Sequence, residues 1–138
     1  MGRKKNYHPK RFESTGENGD PFLMIFESML VSQAFLDLTK NQRLLYVYLK
    51  AQFYGKRKPE NDIPDIDGIK GNDVFYFNRE LAVRRYKLYT DGNRSSFYAD
   101  IKELEKHGFI ITVSNGRATK SKSIYKFSDK WQTWNDSS

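Results

Sequence analysis

The chain has no cysteine, only two histidines and only four prolines in 138 residues. Without cysteine it can form neither a disulfide framework nor a thiolate metal site, which fits a reducing compartment. His8 and His107 are far apart, so no histidine pair has metal-ligand spacing. No glycine-rich loop joins a strand to a helix, and no nucleophile has an evident base beside it. These absences argue against an enzyme, a metal site or a bound cofactor. No stretch approaches the roughly 18 apolar residues of a bilayer span. The segment Met1–Lys10 carries no apolar run of signal-peptide length. A soluble cytoplasmic protein without a membrane partner is the expectation.

Acidic side chains are the minority. Lysine and arginine number 24 against 17 aspartate and glutamate, giving a formal charge of +7 and a pI near 9.5. An excess of this sign favours a polyanionic partner over a small neutral substrate. A chain of this length is expected to build one core, because a second would be starved of buried surface.

Residues 1–20 carry Lys4, Lys5, Lys10 and Arg11 with almost no large apolar side chain, the composition of a disordered basic tail. Phe22–Val31 is too apolar for a linker and reads as a strand or leading segment packed on the core, with Phe22 and Phe26 inside. Thr39 followed three residues later by Gln42 is a capping box. It opens a helix from Lys40 to Tyr54, closed by Gly55. The apolar arc of that helix is broad, centred on Leu44, Val47, Tyr48 and Ala51 with Leu45 and Leu49 beside it, so the helix should lie centrally.

Residues 55–73 contain Pro59, Pro64, Gly68 and Gly71 without a helical period and read as a long loop, basic at its start and acidic after. Asp65-Ile66-Asp67-Gly68 fails as a calcium loop. Placing Gly68 at the sixth position puts Ile63 at the first and Val74 at the twelfth, where carboxylates are needed. The remaining aspartates could hold Mg²⁺ only from a loop, whereas such sites are built on rigid elements.

Val74–Phe77 reads as a short strand, its Phe75 and Phe77 in the core. Asn78 caps a helix of about two turns, Arg79–Tyr86, in which Leu81, Ala82 and, at its end, Tyr86 can face inward, with the cations Arg79, Arg84 and Arg85 along it. Lys87–Gly92 is a turn. A longer helix, residues 93–107, places Phe97, Ile101 and Leu104 on one face. Its opposite side collects Ser95, Ala99, Lys102 and Lys106, flanked by Ser96 and Tyr98, with Arg94 at the amino end. Asp100, Glu103 and Glu105 give this helix the mixed charge of a solvated face. His107 sits at the helix end, serving the dipole or packing beside Gly108. Gly108 ends the helix, Phe109–Val113 forms a strand, and residues 114–123 form a loop with Arg117, Lys120 and Lys122 leading to the strand Ile124–Phe127. Trp131 and Trp134 fit either one turn of a closing helix or a dimer seam, in a C-terminal tail spanning 131–138.

Leu81-Ala82 in the short helix, then Ser-Ser-Phe-Tyr-x-x-Ile-Lys-x-Leu-Glu-x-x-Gly-Phe-Ile, then a basic hairpin, together resemble a winged helix-turn-helix DNA-binding domain. The resemblance implies a mainly α fold with a small antiparallel β-sheet over residues 21–130, in which 93–107 is the recognition helix and 114–123 the wing. It further implies double-stranded DNA as partner. Arg94, Ser95, Ser96, Tyr98, Ala99, Lys102 and Lys106 would meet the groove. Arg117, Lys120 and Lys122 would lie on flanking phosphates, and the arginines of the short helix and the basic tail would reach the backbone. Upstream, Phe35-Leu36-Asp37-Leu38-Thr39, Leu45-Tyr46 and Val74-Phe75-Tyr76 are similar to the N-terminal domain of replication initiators of bacterial plasmids and conjugative transposons. That similarity implies origin binding, with a homodimer as a possible form. Transcriptional regulation, an accessory role in a conjugation complex and a protein-interaction module are the competing roles.

Overall fold

A computed structural model describes residues 9–17, 22–54, 74–92, 94–114 and 123–135. The fold is mixed α and β. Helices α1 (Glu27–Leu30), α2 (Gln33–Leu36) and α3 (Lys40–Tyr54) precede strand β1 (Phe75–Tyr76). A π-helical segment (Leu81–Arg85), α4 (Arg94–Lys106), β2 (Ile110–Ser114), β3 (Ile124–Phe127) and a 3-10 turn (Lys130–Thr133) follow. The three strands form one antiparallel sheet in the order β1-β3-β2. Phe75 pairs with Tyr125, and Ile110 pairs with Phe127.

Local chemistry sets the ends of these elements. The Thr39 N–H donates to the Gln42 amide oxygen at 3.0 Å, and the Gln42 N–H donates to the Thr39 hydroxyl at 3.2 Å. That reciprocal pair satisfies two otherwise orphaned donors at the start of α3. The Asn78 side chain accepts from the Leu81 N–H at 2.9 Å and starts the next helical turn. That segment widens as it proceeds, because the Tyr86 N–H reaches back to the Leu81 carbonyl at 3.0 Å, the longer span of a π turn. Lys87 then adopts a positive φ of 54° and ends it.

Gly108 closes α4 with a φ of +87°. A Cβ there would lie 2.6 Å from both the Lys130 carbonyl carbon and the Trp131 nitrogen. Glycine is therefore required twice over, by the left-handed backbone and by the close approach of the 3-10 turn.

The core is largely aromatic. Phe75, Phe77, Phe97 and Phe109 are completely buried. Phe75 stacks on Phe127 at 4.8 Å, Phe77 on Phe97 at 6.2 Å and Phe109 on Trp131 at 6.0 Å. Leu45, Tyr46 and Leu49 fill the same core from α3, and Phe97, Ile101 and Leu104 from α4. Burying each of these side chains contributes roughly 1.5–3 kcal/mol.

Three expectations are corrected. The Phe22–Val31 stretch contains no strand but the single helical turn α1, and of the two readings the leading segment packed on the core holds, through buried Met29 and through Ile25 packed against the core. Phe22 and Phe26 are not in the core; they are 67% and 68% exposed. The buried face of α3 is Gln42, Leu45, Tyr46 and Leu49, while Leu44, expected at its centre, is 47% exposed. The spacing 42, 45, 46, 49 is a single helical stripe displaced by two residues from the expected one, so the buried face lies about 160° around the axis from it.

Candidate nucleic-acid interface

The two faces of α4 have opposite environments. Phe97, Ile101 and Leu104 are buried, while Ser95, Ser96, Tyr98, Ala99, Lys102 and Lys106 are all exposed. Tyr98 retains 49% of its surface and rests its ring edge-on against Phe97 at 5.0 Å. Lys106 lies 3.6 Å from Glu103 on the same helix. Arg94 is the first residue of α4.

Asp100 holds this helix in place. Its Oδ1 accepts from the Gln42 side-chain amide at 3.0 Å, and its Oδ2 accepts from the Asn41 amide at 3.1 Å and the Tyr89 hydroxyl at 2.6 Å. One carboxylate thereby joins the start of α3, the turn before α4 and the middle of α4. Gln42 carries a double role, since its amide oxygen caps α3 while its amide nitrogen reaches Asp100. Burial, with the adjacent carboxylate, pushes the Tyr89 hydroxyl above its ordinary range, so it remains a donor at neutral pH. From sequence, Asp100 counts as one of three acids on a solvated face; the structure makes it the hub of a part-buried network.

The far end of α4 is fastened by His107, which is buried. Its Nδ1 faces the Glu103 carbonyl at 2.7 Å and its Nε2 faces the Asp37 carboxylate at 2.8 Å. The ring stacks on Trp134 at 4.5 Å. Both neighbours offer oxygen acceptors to the ring. His107 thus clamps α2, α4 and the C-terminal turn.

Between α4 and the sheet, the Glu105 carboxylate accepts from the Thr112 hydroxyl and, at 3.2 Å, from the Thr112 N–H. β2 is an edge strand, and this contact takes one of its backbone donors out of reach of another chain. Tyr125 lies beneath, its hydroxyl pushed up to about 12 chiefly by burial.

The arginines of the preceding helical segment are partly engaged. Arg84 lies 3.3 Å from Glu80 and 3.7 Å from Asp91. Arg79 donates to the Asp91 carbonyl at 3.4 Å, and the Arg85 guanidinium lies 5.6 Å from the Tyr86 ring centre. Arg84 and Arg85 are exposed, as are Lys10 and Arg11. Lys10 sits in a turn closed by the Glu13 carboxylate, which accepts its backbone N–H at 2.6 Å. Lys4 and Lys5, the loop cations Arg117, Lys120 and Lys122, and the loop 55–73 lie outside the described residues.

Among the described residues, no group of three or more His, Asp or Glu side chains is placed to hold a metal ion. None of their helices is long and apolar enough to cross a membrane. No protein-family model matches the chain, and searches of curated proteins and of solved structures find no match.

Proposed function

We propose that this chain is a sequence-selective double-stranded DNA-binding protein of winged helix-turn-helix type. The observation that carries the reading is the two-sidedness of α4. A fully anchored face of Phe97, Ile101 and Leu104 backs an exposed face of small, hydroxyl, aromatic and cationic side chains. The π-helical segment Leu81–Arg85 precedes it across a turn, and an antiparallel hairpin follows it. In this reading Ser95, Ser96, Tyr98, Ala99 and Lys102 enter the major groove, whose width admits a helix. Arg94 and Lys106 flank them, and Arg117, Lys120 and Lys122 hold the β2–β3 loop to adjacent phosphates. Arg79, Arg84, Arg85 and the basic tail add backbone contacts, which position without specifying sequence.

The likeness upstream to replication initiators suggests replication initiation or transcriptional regulation on a mobile genetic element as the setting. The decisive experiment is selection from a random DNA library by the purified protein at physiological salt, where non-specific phosphate binding fades. An enriched motif that Tyr98→Ala or Lys102→Ala alters supports the reading. Absence of any enriched motif, with binding that disappears as salt rises, refutes it.

A further inference from the structure

Among the described residues, Lys87 is the single non-glycine with a positive φ, at 54°. It follows the last turn of the π-helical segment, and the Leu88 N–H donates to the Ala82 carbonyl at 2.8 Å to close that end. Glycine is the usual residue at such a closure, because a side chain on left-handed backbone crowds the following carbonyl. A lysine there is disfavoured by folding, and an outlier of this kind points to a use other than folding. Resting on the DNA-binding reading above, we infer that Lys87 anchors one phosphate of the DNA backbone beside the amino end of α4.

The fold has no need of a cation at this position. Arg84 and Arg85 already place positive charge in the last turn of the segment, where its unpaired carbonyls point. Lys87 is exposed, and its ammonium lies 3.4 Å from the Arg84 carbonyl, too long a contact to hold the turn in water. Among the described residues no carboxylate pairs with it. Its neighbours are engaged within the protein: Arg84 with Glu80 and Asp91, Arg79 with the Asp91 carbonyl and Arg85 with the Tyr86 ring. Lys87 is thus the cation of this segment least committed to the protein and most open to an outside anion.

Its place relative to α4 is set by the residues that follow. Leu88 packs against the core, and Tyr89 is buried and donates to Asp100 in the middle of α4 at 2.6 Å. The left-handed backbone at Lys87 therefore joins the π-helical segment to a residue tied into α4, and it fixes where the lysine leaves the protein surface. A phosphate contact at such a point brings Ser95, Ser96 and Tyr98 into register with the groove without itself reading a base.

The test compares Lys87→Gly and Lys87→Arg with the wild type in thermal unfolding and in titrations, over a salt series, of duplex DNA carrying the motif that the wild type enriches from a random library. Lys87→Gly should raise the melting temperature by roughly 2–4 °C as the backbone is relieved. The same variant should bind about threefold to tenfold more weakly, with a salt slope reduced by about one and an unchanged motif. Lys87→Arg keeps the charge and the backbone and should bind within about twofold of the wild type. A gain in stability joined to a loss of affinity is a result that a purely helix-ending residue does not give. Undiminished affinity and slope in Lys87→Gly overturn the anchor and leave the DNA reading intact. So does a lowered melting temperature in that variant, which would assign the lysine to folding. A wild type that enriches no motif refutes the DNA reading, and the anchor falls with it.

Discussion

The Tyr89 hydroxyl donates a 2.6 Å hydrogen bond to the Asp100 carboxylate, tying the turn before α4 to the middle of that helix. Asn41 and Gln42 converge on the same carboxylate from α3. Asp100→Ala would strand three donors at once, and a deprived buried group costs about 1–3 kcal/mol. The expected loss is about 3 kcal/mol in chemical denaturation, with Tyr89→Phe costing about 1–2 kcal/mol because the other two donors remain paired. Equal, negligible losses in both variants would show that the network does not hold α4.

The tyrosines also set an alkaline limit. Burial raises the Tyr89 hydroxyl, and raises that of Tyr125 to about 12, above the ordinary value near 10. Below pH 10 both are protonated in folded and unfolded chains, and their contribution to stability is fully present. Above it the unfolded chain loses protons that the folded chain keeps, so stability falls by about 1.4 kcal/mol per pH unit for each group. For Tyr125 the fall levels off beyond pH 12. Denaturant unfolding between pH 9 and 12 should show this decline, shallower in Tyr125→Phe. A flat profile would contradict it.

His107 fastens the other end of the helix. His107→Ala removes its contacts to Asp37 and the Glu103 carbonyl and its stacking on Trp134, with an expected cost of about 2–3 kcal/mol. Trp134 loses its neighbour, so tryptophan emission should shift to longer wavelength in the folded state. Unchanged emission would mean that Trp134 is held by something other than the imidazole.

At Gly108 a methyl group is refused by backbone atoms on the 3-10 turn at 2.6 Å and by a φ of +87°. Gly108→Ala should therefore destabilise by at least about 1–3 kcal/mol. Measured thermal unfolding that moves by less than a degree would show that the turn can retreat.

What the sequence discloses here follows the range of the interactions. The Thr39–Gln42 box, the Asn78 cap and Gly108 act within a few residues, and each sits where its residue type predicts. The same holds for the bounds of α3, for β3 and for the inward face of α4. Asp100 was opaque because two of its partners lie 58 and 59 residues away, and an acid on a helix looks the same whether it meets water or an amide. The orientation of α3 was opaque because Leu44, Leu45, Tyr46, Val47, Tyr48 and Leu49 form an unbroken apolar run that fits more than one stripe. Phe22 and Phe26 mislead for another reason, that apolar character allows burial without enforcing it.

The final prediction concerns Asp91. It lies 3.7 Å from the Arg84 guanidinium, which also meets Glu80, and its carbonyl accepts from Arg79. Both members of the Arg84–Asp91 pair are mostly exposed, so the pair contributes little to folding. In the proposed DNA-binding reading it matters more, because the carboxylate would compete with phosphate for Arg84 and would repel the backbone at the same time. Asp91→Asn should leave the melting temperature nearly unchanged while raising DNA affinity several-fold at low salt, without altering the selected motif. The gain should shrink as salt screens the charge. An affinity that does not rise at low salt would place Arg84 and its segment away from the DNA, and the backbone contacts assigned to Arg79, Arg84 and Arg85 would be wrong.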